Sequence, residues 1–382
     1  NSAPLRRLLL IKLAEQGSTV LAYPAINQAV KMVGRENVYF ILFEENRFIL
    51  ETFGLLPEEN IISLPTKNFL QMARSGWRAL RHLQKLKLDA AIDMEFFARG
   101  SAAIAFLSGA KWRVGFHSFY GAGPYRGDLM THRLFYNPYL HTTQIFHLLI
   151  AALKEDRHQL PTFGIQPPPV ENSLPQFSFQ AEELEIVKTM LRTETATKTL
   201  PPLILLNPNA GDLIPLRRWA DERYLELARR LIERYPEIYI GLTGASNEIA
   251  AVKNLAEQVG SNRCISLAGK TTLRQLLILY HLAEVLVTND SGPAHFAALT
   301  PIHVVTLFGP ETPALFGART PRHLSLWAGI ACSPCVNAYN NRQSPCQNNI
   351  CMQQISVEQV FGEVCRLGEG RPGKFQAPSG NW

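Results

Sequence analysis

Short apolar runs recur along this chain, each ending in a polar turn and each followed by a stretch with helical spacing. Runs this short read as strands buried on both faces, as in parallel sheets. Residues 8–13 (LLLIKL) form the first, followed by Ala14-Glu15-Gln16-Gly17-Ser18-Thr19, where Gly17 predicts the turn, and then a helix. Residues 38–43, 61–64 and 89–95 continue the series. After residue 200 it restarts at 203–206, 238–242, 283–287 and 304–308. Alternation of this kind folds into doubly wound α/β sheets, and the restart predicts two of them. The expected division is 1–165, a Pro-rich linker and helix at 166–200, a second domain at 201–365 and a tail at 366–382. Pro161, Pro167-Pro168-Pro169 and Pro175 stiffen the connector.

The most pointed stretch is Thr288-Asn289-Asp290-Ser291-Gly292-Pro293-Ala294-His295. An apolar strand precedes it, and Pro293 followed by alanines predicts a helix start. Asp290 and Ser291 are good caps, and Gly292 allows close approach of the backbone. Free N–H groups at such a helix start favour a phosphate or pyrophosphate. A plain capped helix explains the same residues equally well. Ala268-Gly269-Lys270-Thr271-Thr272 resembles the end of a P-loop but lacks its first glycine, which would fall at Cys264, so Thr271 or Thr272 is expected to cap a helix.

No apolar run reaches the roughly 18 residues of a membrane-spanning helix. With no export signal visible, a cytoplasmic location is expected. Residues 1–160 carry 19 Lys and Arg against 13 Asp and Glu, which is the whole of the net +6; the remainder carries 19 of each. That points to an anionic partner for the first half: a membrane surface, a phosphorylated glycan or nucleic acid. Residues 68–88 have helical spacing, with Leu70, Ala73, Trp77, Leu80 and Leu83 as one stripe. Lys67, Arg74, Arg78, Arg81, Lys85 and Lys87 surround it, with no acid from 61 to 88. Such a helix packs on a sheet or lies on an anionic membrane. Asp93 and Glu95 end a strand, where α/β sheets bind ligands. Residues 115–140 lack periodicity and are expected to form a long surface loop.

Four of the six cysteines fall at Cys332, Cys335, Cys346 and Cys351. Four thiolates at this spacing can bind zinc or iron, structurally rather than catalytically. A pair of disulfides or plain thiols are the alternatives, and Cys264 and Cys365 stand alone.

Several motifs together resemble glycosyltransferase family 9, the bacterial heptosyltransferases. They are the opening strand–turn–helix, Ile92-Asp93-Met94-Glu95 with residues 109–116, Asn207-Pro208 with Arg217-Arg218-Trp219, Leu242-Thr243-Gly244, residues 267–271, and residues 289–295 with Leu307-Phe308-Gly309-Pro310. The resemblance implies a GT-B fold, two Rossmann-like domains facing across a cleft. It implies an inverting, metal-independent transfer from a nucleotide sugar, typically ADP-heptose, to an anionic glycolipid of the lipopolysaccharide core, in peripheral contact with the inner face of the inner membrane, and no nucleic-acid partner. Asn207, Asn209, Gly211, Arg218, Glu248, Asp290, Ser291, Gly292, Pro293 and His295 would hold the donor. Arg217, or Arg218, would take up charge on the departing diphosphate, and Glu248 would meet the ribose. The family carries Asp after the first-turn glycine as the proposed base, and this chain has Ser18. Glu95 is the preferred substitute and Glu15 the other; Ser18 and Asp93 would line the acceptor side. A protein acceptor, a non-catalytic donor-binding relative, and an assembly protein using the cysteine loop are the competing readings, and oligomeric state is left open.

Overall fold

The structure is a computed structural model that describes residues 4–121, 124–161, 164–169, 174–211 and 214–369. The expected tail at 366–382 falls almost entirely outside them. The chain divides into two compact units. The first holds residues 1–171, 314–316 and 336–344; the second holds 172–313, 317–335 and 345–382.

In the first unit the elements are β1 (Leu8–Ile11), α1 (Gln16–Leu21), α2 (Tyr23–Val33), β2 (Val38–Phe43), α3 (Arg47–Thr52), β3 (Ile61–Leu64), α4 (Phe69–Lys85), β4 (Ala90–Asp93), α5 (Arg99–Leu107), β5 (Trp112–Phe116), β6 (His132–Leu134) and α6 (Thr142–Ala151). The strands form one parallel sheet in the order β3-β2-β1-β4-β5-β6. β1 has no exposed side chain, which is why its sequence is uninterrupted leucine and isoleucine. The order reverses between β1 and β4, and ligands bind at the carboxyl ends of strands at such a switch point.

The second unit repeats the plan. Its elements are α7 (Ala181–Thr195), β7 (Leu203–Asn207), α8 (Asp221–Arg234), β8 (Tyr239–Leu242), α9 (Ile249–Val259), β9 (Cys264–Ser266), α10 (Leu273–Leu282), β10 (Val285–Asn289), α11 (Gly292–Ala297), β11 (His303–Phe308), α12 (Pro313–Phe316, whose last three residues belong to the first unit), β12 (His323–Trp327), α13 (Ile350–Gln353) and α14 (Val357–Glu369). The sheet order is β12-β11-β10-β7-β8-β9, all parallel, and its switch point lies between β7 and β10. α8 opens on Asp221 and Glu222 and closes on Arg234, charges that suit the helix dipole. Its buried line, Tyr224, Leu227, Ala228 and Leu231, packs in one core with Trp219, whose ring meets Tyr224 edge-on at 5.0 Å. Thr272, not Thr271, caps α10, with Gln275 completing a capping box.

Three local expectations are corrected. Gly17 lies inside α1 rather than in the turn; the left-handed turn residue is Glu15, at φ 68°. The region 115–140 is not one loop, because β6 lies within it and Arg126 reaches back into the core beside Asp93. The stripe on α4 does not face the sheet as a whole. Asn68 caps the helix through Leu70 and Gln71, and α4 packs on β3 and α5 through Ala79 and Leu83. Leu70 and Trp77 are 73% and 60% exposed, as is Phe69 at 75%. Only Ala79 and Leu83 of the helix are buried, and the bulky side chains of its first two turns are turned outward.

Candidate functional site

In the first unit the switch point gathers charge. Lys12 follows β1 directly and has no exposed surface. Its ammonium donates to Glu95 Oε1 at 3.1 Å and to the Ala14 carbonyl. Glu95 Oε1 also accepts from the backbone N–H groups of Leu13 at 2.6 Å and Ala14 at 3.0 Å. All the side-chain hydrogen bonds of Glu95 therefore fall on one oxygen, and the carboxylate is fixed in direction. Burial pushes the Lys12 ammonium down from its ordinary value, while Glu95 pulls it back up. Glu15 stands on the other side of Lys12, with Oε2 at 4.0 Å from the ammonium. Ser18, in place of the expected acid, donates its hydroxyl to the Glu15 carbonyl at 3.0 Å and to Glu15 Oε2 at 3.3 Å. The structure thus brings Glu95, Glu15 and Ser18 together. Asp93 is apart in role. It is wholly buried, ion-paired with Arg126 at 2.7 Å, and accepts from Ser101 at 2.9 Å and from the Glu95 N–H at 3.0 Å. Burial above all raises its carboxyl to about 6. It holds the turn that presents Glu95 and offers no surface to an acceptor.

In the second unit the ends of β7 and β10 meet. Asn207 Oδ1 accepts from the Asn209 N–H at 3.1 Å and its amide donates to Thr243 at 3.2 Å. Asn289 accepts from the Trp219 N–H at 3.0 Å and donates to the carbonyl of Pro208 at 3.0 Å. This ties the segment carrying Arg217 to the Asp290 turn. Arg217 forms an ion pair with Glu311, and its Nε lies 3.4 Å from Asp290 Oδ2. Asp290 and Glu311 are both buried, so two acids share one guanidinium. Arg218 is exposed. Ser291 occupies the cap position of α11, but its hydroxyl turns back to the Asn289 carbonyl and makes no cap bond. Gly292 is fixed by packing: a Cβ there would stand 3.0 Å from the Phe296 ring. Pro293 is in the first turn and His295 is buried on α11. Gly211 has φ 68°. Glu248 lies beyond β8, and its Oε2 accepts from the Ala245 N–H at 2.6 Å. That bond caps the carboxylate's own loop.

The cysteines do not assemble a metal centre. Among the described residues no group of three or more His, Cys, Asp and Glu is placed to hold a metal ion, and none of the six is in a disulfide. They do share a neighbourhood. The thiol of Cys351 is pushed up by burial and further by Cys335, Cys332 and Cys346.

Lys12, Arg126, Glu311 and Arg342 were missed from the sequence. Lys12 and Glu311 follow strand ends, where the same rule that selected Glu95 applies. Arg342 carries no local signal, since its partner Glu15 is distant in the chain.

Two six-stranded parallel sheets with this strand order and polar switch points define the GT-B fold. The solved structure of E. coli ADP-heptose lipopolysaccharide heptosyltransferase II matches with a TM-score of 0.67 at 18% identity, over 94% of this chain and 98% of that one. Iron-containing dodecameric glycosyltransferase TibC from enterotoxigenic E. coli matches at 0.53 and 12%, over 97% and 78%. The family described as glycosyltransferase family 9 (heptosyltransferase) matches residues 76–344, and this chain belongs to it. Lipopolysaccharide heptosyltransferase 2 of Salmonella typhimurium is 36% identical over 138 residues, 35% of this chain. The match spans 38% of that protein's length.

Proposed function

We propose that this chain is an inverting, metal-independent transferase that moves a heptosyl group from ADP-heptose to a glycolipid of the lipopolysaccharide-core type. The observation that carries the reading is the pair of switch points. One holds a directed carboxylate, Glu95, and the other a guanidinium, Arg217, against the Asp290 turn. Acceptor and donor are assigned to the first and second units respectively. Glu95 takes the proton of the acceptor hydroxyl through the oxygen that Lys12 leaves unengaged. The acceptor oxygen forms its bond to the anomeric carbon as the bond from that carbon to the diphosphate oxygen breaks, and ADP departs. Arg217 meets the charge developing on the diphosphate, with the backbone of Ser291 and Gly292, Asn207, Asn209 and His295 around it. The ribose is assigned to Glu248.

Glu95→Gln should lower kcat by at least a hundredfold with the donor KM little changed, and Arg217→Ala should raise the donor KM and lower kcat together. Near wild-type transfer by Glu95→Gln, with Glu15→Gln inactive, would hand the base role to Glu15. Hydrolysis of ADP-heptose by a chain that transfers to no glycolipid would favour a protein acceptor, and binding of ADP-heptose without any turnover would favour the non-catalytic donor-binding relative.

Two partner assignments belong to the same proposal. α4 is assigned to the anionic face of a membrane, supported by the outward Phe69, Leu70 and Trp77 among Lys67, Arg74, Arg78 and Arg81. No helix among the described residues is long and apolar enough to cross a membrane. A structural zinc or iron ion is assigned to the four cysteines on their spacing in the sequence, at 332, 335, 346 and 351. No catalytic step runs through it.

A further inference from the structure

Residues 336–344 belong to the first unit, although Cys335 and Pro345 on either side belong to the second. The segment is built to stay where it is. Asn337 accepts from the N–H groups of Tyr339 and Asn340 and forms a capping box with Asn340. The Tyr339 hydroxyl donates to the Tyr136 carbonyl, and its ring lies 5.4 Å from those of Tyr136 and Phe97. Phe97 itself is held at φ 58°, a backbone state that a bulky side chain rarely adopts. Two further left-handed residues follow, Asn341 at 52° and Arg342 at 57°. Left-handed backbone is disfavoured at a residue other than glycine, and here the conformation delivers one side chain. The guanidinium of Arg342 lies 5.8 Å from the centre of the Phe96 ring and 5.5 Å from that of Phe316, and it pairs with Glu15 Oε1.

We propose that Arg342 is a positioning residue for the catalytic carboxylate Glu95, acting through Glu15 and Lys12. The charged groups around Glu95 are Lys12 and Glu15 from the β1–α1 turn, Asp93 from its own strand, Arg126 from the β5–β6 segment, and Arg342; Ser18 is the neutral hydroxyl among them. Asp93 and Arg126 neutralise each other. Two cations and two acids remain, and Lys12 stands between the acids. Arg342 occupies Glu15, so the Lys12 ammonium is left to Glu95 and fixes its Oε1. Without Arg342, Glu15 would compete for Lys12 from 4.0 Å away. Glu95 would then lose its fixed orientation and its hold on the Lys12 ammonium.

The inference rests on Glu95 as base, and the experiment separates the two. Transfer of heptose by the full chain would be followed from pH 5 to 9, giving kcat and donor KM for wild type, Arg342→Gln, Arg342→Lys, Glu15→Gln and Glu95→Gln. The acid limb of kcat reports the base in the substrate complex. Arg342→Gln should move that limb up by about half to one pH unit and lower kcat several-fold at pH 6, with donor KM unchanged. Arg342→Lys should keep the limb in place, and Glu15→Gln should move it down, because a negative charge is lost. The downward shift remains readable if Arg342→Gln fails to fold. A lower kcat with an unmoved limb in Arg342→Gln, or an upward shift in Glu15→Gln, would make Arg342 a structural contact and overturn the proposal. Full activity of Glu95→Gln would instead overturn the base assignment beneath it.

Discussion

Glu311 shows what a single buried residue can govern. Burial is the main reason its carboxyl is raised to about 8; Arg217 opposes the rise, and the neighbouring Asp290 adds to it. The balance between its protonated form and the ion pair with Arg217 therefore falls near neutral pH. The folded value lies above the ordinary carboxyl range. Its contribution to stability is thus complete below that range and is lost as pH rises toward 8. Glu311→Gln, a neutral mimic, should remove this loss. Between pH 5 and 8 the Tm of the wild type should fall relative to the variant, the unfolding free energy changing by at most about 1.4 kcal/mol per pH unit. Parallel Tm curves would refute a protonated Glu311. The sequence showed Arg217 and Asp290 as candidates because the family motif contains both. Glu311 was not among them, since nothing in its neighbours reveals a guanidinium brought to it from 94 residues away.

At the scale of elements, strands were the most legible part. Apolar runs such as Leu8–Ile11 and His303–Phe308 are buried on both faces, and composition alone marks such positions. Helix existence was equally plain, but helix rotation was not. Spacing on α4 defined a stripe, of which Leu83 is buried while Leu70 and Trp77 are exposed; Ala79, outside the stripe, is the other buried residue. What the helix leaves outward is testable. Arg81 lies over the Trp77 ring at 4.9 Å, beside exposed Phe69 and Leu70. The protein should co-sediment with vesicles containing anionic phospholipid, and much less with neutral ones. Binding should weaken with salt, and Arg74→Glu with Arg78→Glu should reduce it at least tenfold, at about 1 kcal/mol per basic residue. Trp77 emission should shift to the blue on binding. Equal binding to neutral and anionic vesicles would remove α4 from the membrane.

For the molecule as a whole, the two doubly wound sheets were legible because the βα pattern restarts, whereas the return of residues 336–344 to the first unit was not. That segment has no hydrophobic period, and its contacts join positions such as Tyr339 and Tyr136, 203 residues apart. The cysteines flanking it give a further prediction. Protein purified without chelator should carry close to one equivalent of zinc or iron per chain, and chelation should lower Tm. Well under a tenth of an equivalent, by elemental analysis of protein kept reduced throughout, would dismiss the metal. The split membership of the chain also sets an order of events at the ribosome. The first unit is nearly complete once residue 171 has emerged, yet its last piece begins at residue 336. At about 5–20 residues per second, the nascent unit waits roughly 10–30 s for Arg342. During that interval Glu15 and Lys12 lack the Arg342 side chain, and the switch point of the first unit reaches its final arrangement only when the chain is almost finished.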